Sequence, residues 1–262
     1  MCRWRSDVTT IFTTYIAVEI NPQSQKQLCP LPATLPYKSD KSFVGRGTML
    51  QWIHDKFIVD SEPIVALYGI GGIGKTKTAV QYVYAHHLDY DIVFWVYADT
   101  METTNKDFVG IAQQLVNWKF QNSRNYSQVA RDLGLNSVVN VETGQVTASG
   151  DIQQVIKAVI AWLSKEASGH WLLIFDNVDD LERVSLYDFI PTIVVGRILI
   201  TSRNHEIVSF ANGIGRKVPS LSESDGLQLL LRKAGKHETG RYISFLPSNT
   251  SLINDKMLQP GR

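Results

Sequence analysis

Four short apolar runs stand out along the chain: Ile64–Leu67, Ile92–Val96, Trp171–Phe175 and the segment Arg197–Thr201. Each is apolar at consecutive rather than alternate positions, the pattern of a strand covered on both faces. A fifth, shorter strand is expected around Lys217-Val218. Between the runs the apolar positions return at helical spacing. Leu50, Ile53 and Phe57 mark a helix over Thr48–Phe57, and Ala79, Val80, Val83, Tyr84 and Leu88 a second. Phe108, Ile111, Ala112 and Leu115 fit a helix over Asn105–Trp118; Ile152, Val155, Ile156, Val159 and Leu163 fit one capped by Asp151. Ser222 and Asp225 read as a capping box ahead of Leu227, Leu230, Leu231 and Ala234. Strands alternating with helices predict an α/β fold, a doubly wound parallel sheet with helices on both faces.

The flanks break this rhythm. Pro22, Pro30, Pro32 and Pro36 among Gln, Ser and Lys make residues 1–42 an N-terminal segment and linker. Folded sequence is expected over 43–235, and 236–262 is expected to be an irregular tail. Residues 119–150 are polar, with one helical turn at Val129–Leu133, and are expected to form a surface insertion.

The loop after the first strand carries the chemistry. Gly69-Ile70-Gly71-Gly72-Ile73-Gly74-Lys75-Thr76 is a complete G-x-x-x-x-G-K-[ST] pattern between a strand and a helix. Glycines let backbone N–H groups close around a phosphate chain, and the amides opening the helix add the positive end of a dipole. Lys75 is expected on the β- and γ-phosphates, and the Thr76 hydroxyl on Mg²⁺. Mg²⁺ also calls for a carboxylate, and Asp176 ends the third strand at the edge where α/β sheets bind ligands. Asp179 or Asp180 is a candidate base for an attacking water, because Asn177 supplies an amide and no carboxylate. Arg203, just past the fourth strand, is a candidate reader of the γ-phosphate.

Composition narrows the field. Hydrophobic residues make up 44% of the chain, enough for a sizeable core, and a net charge of +1 leaves no field to attract nucleic acid or an anionic membrane. No apolar stretch is long enough to cross a bilayer. Cys2 and Cys29 match no metal or redox spacing, and His86-His87 reads as a pair of solvated helix-end residues. A cytoplasmic location is expected.

These segments together resemble the NB-ARC family of STAND P-loop NTPases, whose members include plant disease-resistance proteins, the animal apoptosome scaffold and fungal NOD-like receptors. The resemblance runs over residues 43 to 235, and its style is closest to the fungal members. It implies that Phe43-Val44-Gly45-Arg46 contacts the adenine side of ATP or ADP, so that Val44, Gly45 and Arg46 join Gly69, Gly71, Gly72, Ile73, Gly74, Lys75, Thr76 and Lys77 in nucleotide binding. It also implies Mg²⁺ on Thr76 and Asp176, and a sensor strand lying between the two nucleotide-binding strands. Departures are Lys77 where Thr or Ser is common, Gly47 in place of an acidic residue, and Asn177 in place of a second Asp. The family's Gly-Leu-Pro-Leu and winged-helix His-Asp motifs are not found, so the chain is expected to be truncated after the nucleotide-binding domain. With one cleft wall missing, weak, poorly discriminating nucleotide binding and no ATP-driven assembly are expected.

The resulting expectation is an adenine-nucleotide switch domain for signal transduction, of the innate-immunity or cell-death kind, with slow or no hydrolysis. Its protein partners would engage effector and sensor regions outside this sequence. An active ATPase of motor or remodelling type, and a binding-only module, remain open beside it.

Overall fold

The apolar runs become strands at the centre of a parallel sheet. In the computed structural model, which describes residues 35–235 apart from 37, 148–150 and 183, the strands are β1 (Ile64–Tyr68), β2 (Ile92–Tyr97), β3 (Trp171–Asp176), β4 (Arg197–Ser202) and β5 (Gly215–Lys217). They lie in the order β2-β3-β4-β1-β5, and every neighbouring pair is parallel. The expectations for residues 1–34 and for the tail from 236 lie outside the described residues.

The side-chain period of two in a strand sorts each run between two cores. Ile64, Ala66, Ile92, Phe94, Val96, Leu173, Phe175, Ile198 and Ile200 face one layer. Their neighbours Val65, Leu67, Val93, Trp95, Leu172, Ile174 and Leu199 face the other. The first layer packs under α3 (Met101–Ser123), α4 (Tyr126–Leu133) and α5 (Ile152–Leu163). The second packs under α1 (Gly47–His54) and α2 (Lys75–His86). Burial on both faces is why the runs are continuously apolar. The helix α6 (Ile207–Phe210) follows β4, and α7 (Glu223–Lys233) closes the described chain.

Several boundaries differ from the expectation for local reasons. Helix α3 starts earlier, at a Thr100–Thr103 capping box, and runs on to Arg124 in the left-handed conformation. After α1 the chain continues as a π-helical turn, Asp55–Val59. Leu88 falls in a 3₁₀ turn beyond α2 and is 55% exposed. Ser222 caps α7 by accepting from the Asp225 amide, but its own hydroxyl donates to the Asp225 carboxylate, so the two do not exchange bonds as a capping box would.

The expected surface insertion is only partly on the surface. Val129, Ala130, Leu133, Leu135, Val138, Val139 and Val146 are buried in the first core layer. The Gln113 side chain anchors the segment to α3, donating to the Gly144 carbonyl and accepting from the Val146 amide. Beyond α4 these apolar residues fall singly or as the pair Val138-Val139 among polar ones, with neither strand nor helix period.

Gly196, at the foot of β4, is buried against Trp171. A β-carbon there would stand 2.2 Å from the indole, and the indole is itself fixed by donating to the Leu163 carbonyl at 3.1 Å. Gly196→Ala should therefore cost about 1–3 kcal/mol through overpacking, read as a lower urea midpoint at unchanged slope. An unchanged midpoint would contradict this packing.

Candidate functional site

The strand order places β4 between β1 and β3. At their C-terminal edge this gathers the loop after β1, the carboxylate ending β3 and the arginine following β4. The loop turns through Gly69, Gly72 and Gly74, all at positive φ. Gly74, at φ 103°, is the N-cap of α2 and offers no side-chain cap, and the first turn carries no acidic residue. The opening amides of α2 thus form an anion-favouring end. The Gly69 amide donates to the Ser202 carbonyl at 3.2 Å, tying the loop to β4.

Lys75 lies back across its own loop. Its Nζ donates to the Gly69 and Ile70 carbonyls at 2.7 and 3.1 Å. Burial lowers the pKa of this ammonium, Asp179 and Asp176 oppose the shift, and Arg203 adds to it. A phosphate would offer the same ammonium charged acceptors in place of two neutral carbonyls, and charge-assisted bonds are the stronger kind.

Beneath the loop, Asp176 is buried, with Oδ1 accepting from Thr201 Oγ1 at 2.6 Å and from Thr76 Oγ1 at 2.8 Å. Its other oxygen, Oδ2, is buried with no hydrogen-bond partner. Burial pushes the Asp176 pKa up, while the bonds from Thr201 and Thr76 and the charge of Lys75 hold it down. A buried carboxylate oxygen left unpaired beside a hydroxyl is a donor set that suits Mg²⁺, which takes carboxylate, hydroxyl and water oxygens.

Asp179 and Arg203 are brought together as a pair. Asp179 Oδ1 accepts from the Arg203 backbone amide at 2.7 Å, and Oδ2 lies 2.9 Å from Arg203 Nε. The Arg203 guanidinium borders the phosphate loop: a β-carbon on Gly71 would stand 3.6 Å from its Cζ. Asn177 is left-handed at φ 64°, a conformation that Asn tolerates better than most residues, and its amide donates to Thr201 Oγ1.

On the other side of the loop lies a cleft of about 280 Å³, lined by Val44, Arg46, Gly72, Ile73, Gly74 and Lys77 together with Asp40, Phe43, Leu221, Leu229 and Lys233. Arg46 is buried and Nη2 donates to the Ile73 carbonyl at 3.0 Å, joining the segment before α1 to the loop. Gly45 sits at φ +69°, and a β-carbon there would meet the Asp225 carboxyl carbon at 2.6 Å, so glycine is required where α7 closes in. Asp40 gathers cations, with Lys233 at 2.9 Å and Lys77 at 3.7 Å. Hydrogen bonds from Ser42 and Lys233 hold its carboxyl well below the usual range. A wider hollow of about 540 Å³ between α4 and α5 borders neither the loop nor a strand edge.

Sequence reasoning missed Asp40, Thr201, Leu221, Asp225, Leu229 and Lys233. Thr201 had a signal, a hydroxyl at the end of a strand beside the Asp176 strand. The others reach the cleft only through tertiary packing.

A family model described as NB-ARC domain matches residues 46–240 of the 262. A nucleotide-binding leucine-rich repeat (NLR)-like protein of Hyaloscypha variabilis is 26% identical over 254 residues, covering 87% of this chain and 23% of that protein. The chain therefore spans less than a quarter of this relative's length. Among the described residues no helix is long and apolar enough to cross a membrane.

The Thr201 hydroxyl serves Asp176 and the Asn177 amide at once in a buried place. Thr201→Val, which keeps the shape, should lower stability by about 1–3 kcal/mol, the cost of unpaired buried polar groups, and Thr201→Ser should restore most of it. Equal urea midpoints for the valine and serine variants would contradict this role.

Proposed function

Because the chain belongs to the NB-ARC family of nucleotide-binding signalling modules, we propose that it binds ADP or ATP with Mg²⁺ as the switch domain of a signalling protein. The observation that carries this reading is the buried Asp176 carboxylate, whose Oδ1 is bound to Thr76 at the start of an uncapped helix and whose Oδ2 has no hydrogen-bond partner. In this reading the base and sugar occupy the cleft beside Val44, Gly45 and Arg46. Its volume, about 280 Å³, is close to the lower bound of small-molecule sites. The phosphates follow Gly69, Gly71, Gly72, Ile73 and Gly74, drawing Lys75 off the loop carbonyls, and Lys77 stands on the α-phosphate side. Thr76 and Asp176 would hold Mg²⁺, which when bound neutralises phosphate charge. Arg203, beside Gly71, reads whether a γ-phosphate is present.

Hydrolysis is slow or absent on the same reading. Asn177 has no carboxylate, and Asp179 already accepts from Arg203 with both oxygens, so it polarises a water only at the expense of that ion pair. The similarity to an NLR-like fungal protein supports a role in innate-immunity or cell-death-like signalling, with protein partners engaging regions outside the matched segment. Such a switch would work in the cytoplasm, where adenine nucleotides and Mg²⁺ are plentiful.

Lys75→Ala should weaken binding of a fluorescent adenine nucleotide about tenfold to a hundredfold, the worth of its charge-assisted bonds. Affinity equal to the parent's would reject the loop assignment. Phosphate release by the parent should stay well below the ~10 s⁻¹ typical of enzymes. Sustained release at ordinary enzyme rates, lost in Lys75→Ala, would favour the motor or remodelling ATPase instead.

A further inference from the structure

The far ends of α1 and α2 carry a second constellation that the nucleotide site does not use. His54 on α1 and His86 at the end of α2 stack face to face, ring centroids 4.3 Å apart and planes inclined by 21°. Asp89, on the 3₁₀ turn His87–Asp89, closes the group: its Oδ2 lies 3.1 Å from His86 Nδ1 and 4.0 Å from His54 Nδ1. His86 is therefore not the solvated helix-end residue that its sequence position suggests. Tyr82 stacks on it as well, at 4.7 Å. His54 Nδ1 is buried and makes no hydrogen bond.

We infer that His54, His86 and Asp89 form a binding site for a divalent transition-metal ion of the zinc type, clasping α1 to α2. Two imidazole nitrogens and a carboxylate oxygen are the donors of three-ligand zinc sites, whose remaining position water can fill. The three donor atoms already lie within 4.8 Å of one another. Bonds of 2.0–2.1 Å to a tetrahedral ion require separations of about 3.3 Å, so the set must tighten by an ångström or so. Asp89, 45% exposed on a short turn, can follow the ion, while the His54 and His86 rings must swing out of their near-parallel stack so that the ion lies in the plane of each imidazole. The ion would replace the proton that His86 shares with Asp89 and would give the orphaned His54 nitrogen a partner. The negative end of the α2 dipole lies at His86 and adds attraction for a cation.

The site is remote from the phosphates. Helix α2 has 12 residues, which at 1.5 Å per residue puts about 18 Å between its ends. Yet both clasped helices carry nucleotide-site residues at their opposite ends, Arg46 before α1 and Lys75 at the start of α2. The ion would hold that wall together without touching the nucleotide.

The test uses the full chain, without nucleotide and in excess Mg²⁺, which occupies oxygen sites and competes poorly for imidazole. Titration with Co²⁺ should give visible absorption bands that saturate at one equivalent and vanish on adding Zn²⁺. Saturating Zn²⁺ should raise Tm by about 5 °C or more over the value in EDTA. His54→Gln, His86→Gln and Asp89→Asn should each lose the bands or weaken Co²⁺ binding about tenfold or more, while His87→Gln keeps them. Absence of bands and of a Tm shift in the parent would overturn the site. So would a response preserved in the His54 and His86 variants. If a histidine variant has lost its cooperative unfolding in EDTA, Asp89→Asn decides: parent-like Co²⁺ binding there would overturn the site.

Discussion

The hydrogen bonds that Thr76 and Thr201 donate to the buried Asp176 carboxylate join three elements far apart in sequence: the start of α2, the end of β3 and the end of β4. One oxygen takes both bonds and the other takes none. A fold built only for stability has no reason to bury a carboxylate in this way, since desolvating it is costly and an unpaired oxygen recovers nothing. On the proposed reading, these oxygens would hold a cation that arrives with a phosphate chain.

The rest of the architecture delivers residues to that point. Placing β4 between β1 and β3 puts Thr201 next to Asp176, one position beyond the paired Phe175 and Ile200. The same order brings Arg203 to the loop, where Asp179 holds it by backbone and side chain. On the opposite flank α7 leans on the segment before α1, through Asp225 at Gly45 and Lys233 at Asp40. The cleft beside the loop is therefore walled by the loop itself and by two stretches nearly two hundred residues apart, which meet through exposed and half-buried polar contacts. Those contacts are weaker than the sheet's core.

Much of this was legible in the sequence because parallel strands covered on both faces must be apolar throughout. Ile92–Val96 and Trp171–Phe175 could hardly be anything else. The phosphate loop is local, so its residues identify themselves, and Asp176 is located by the strand it ends. What sequence could not supply were pairings across space. Asp40 sits in a proline-bearing segment with no sign of its contact with Lys233 on α7. Along the sequence His86 reads only beside its neighbour His87, whereas its stacking partner His54 comes from another helix. Val138, Val139 and Val146 lie in a stretch without period, and their burial depends on the Gln113 anchor.

The central claim is that a Mg²⁺-assisted adenine-nucleotide site is assembled on Thr76 and Asp176. Isothermal titration of the parent chain with ADP, with Mg²⁺ and with EDTA, and in parallel with GDP, tests it most directly. The account predicts one site per chain for ADP, tighter when Mg²⁺ is present, and weaker or absent binding of GDP. Binding indifferent to Mg²⁺, or preferring GDP, would contradict it.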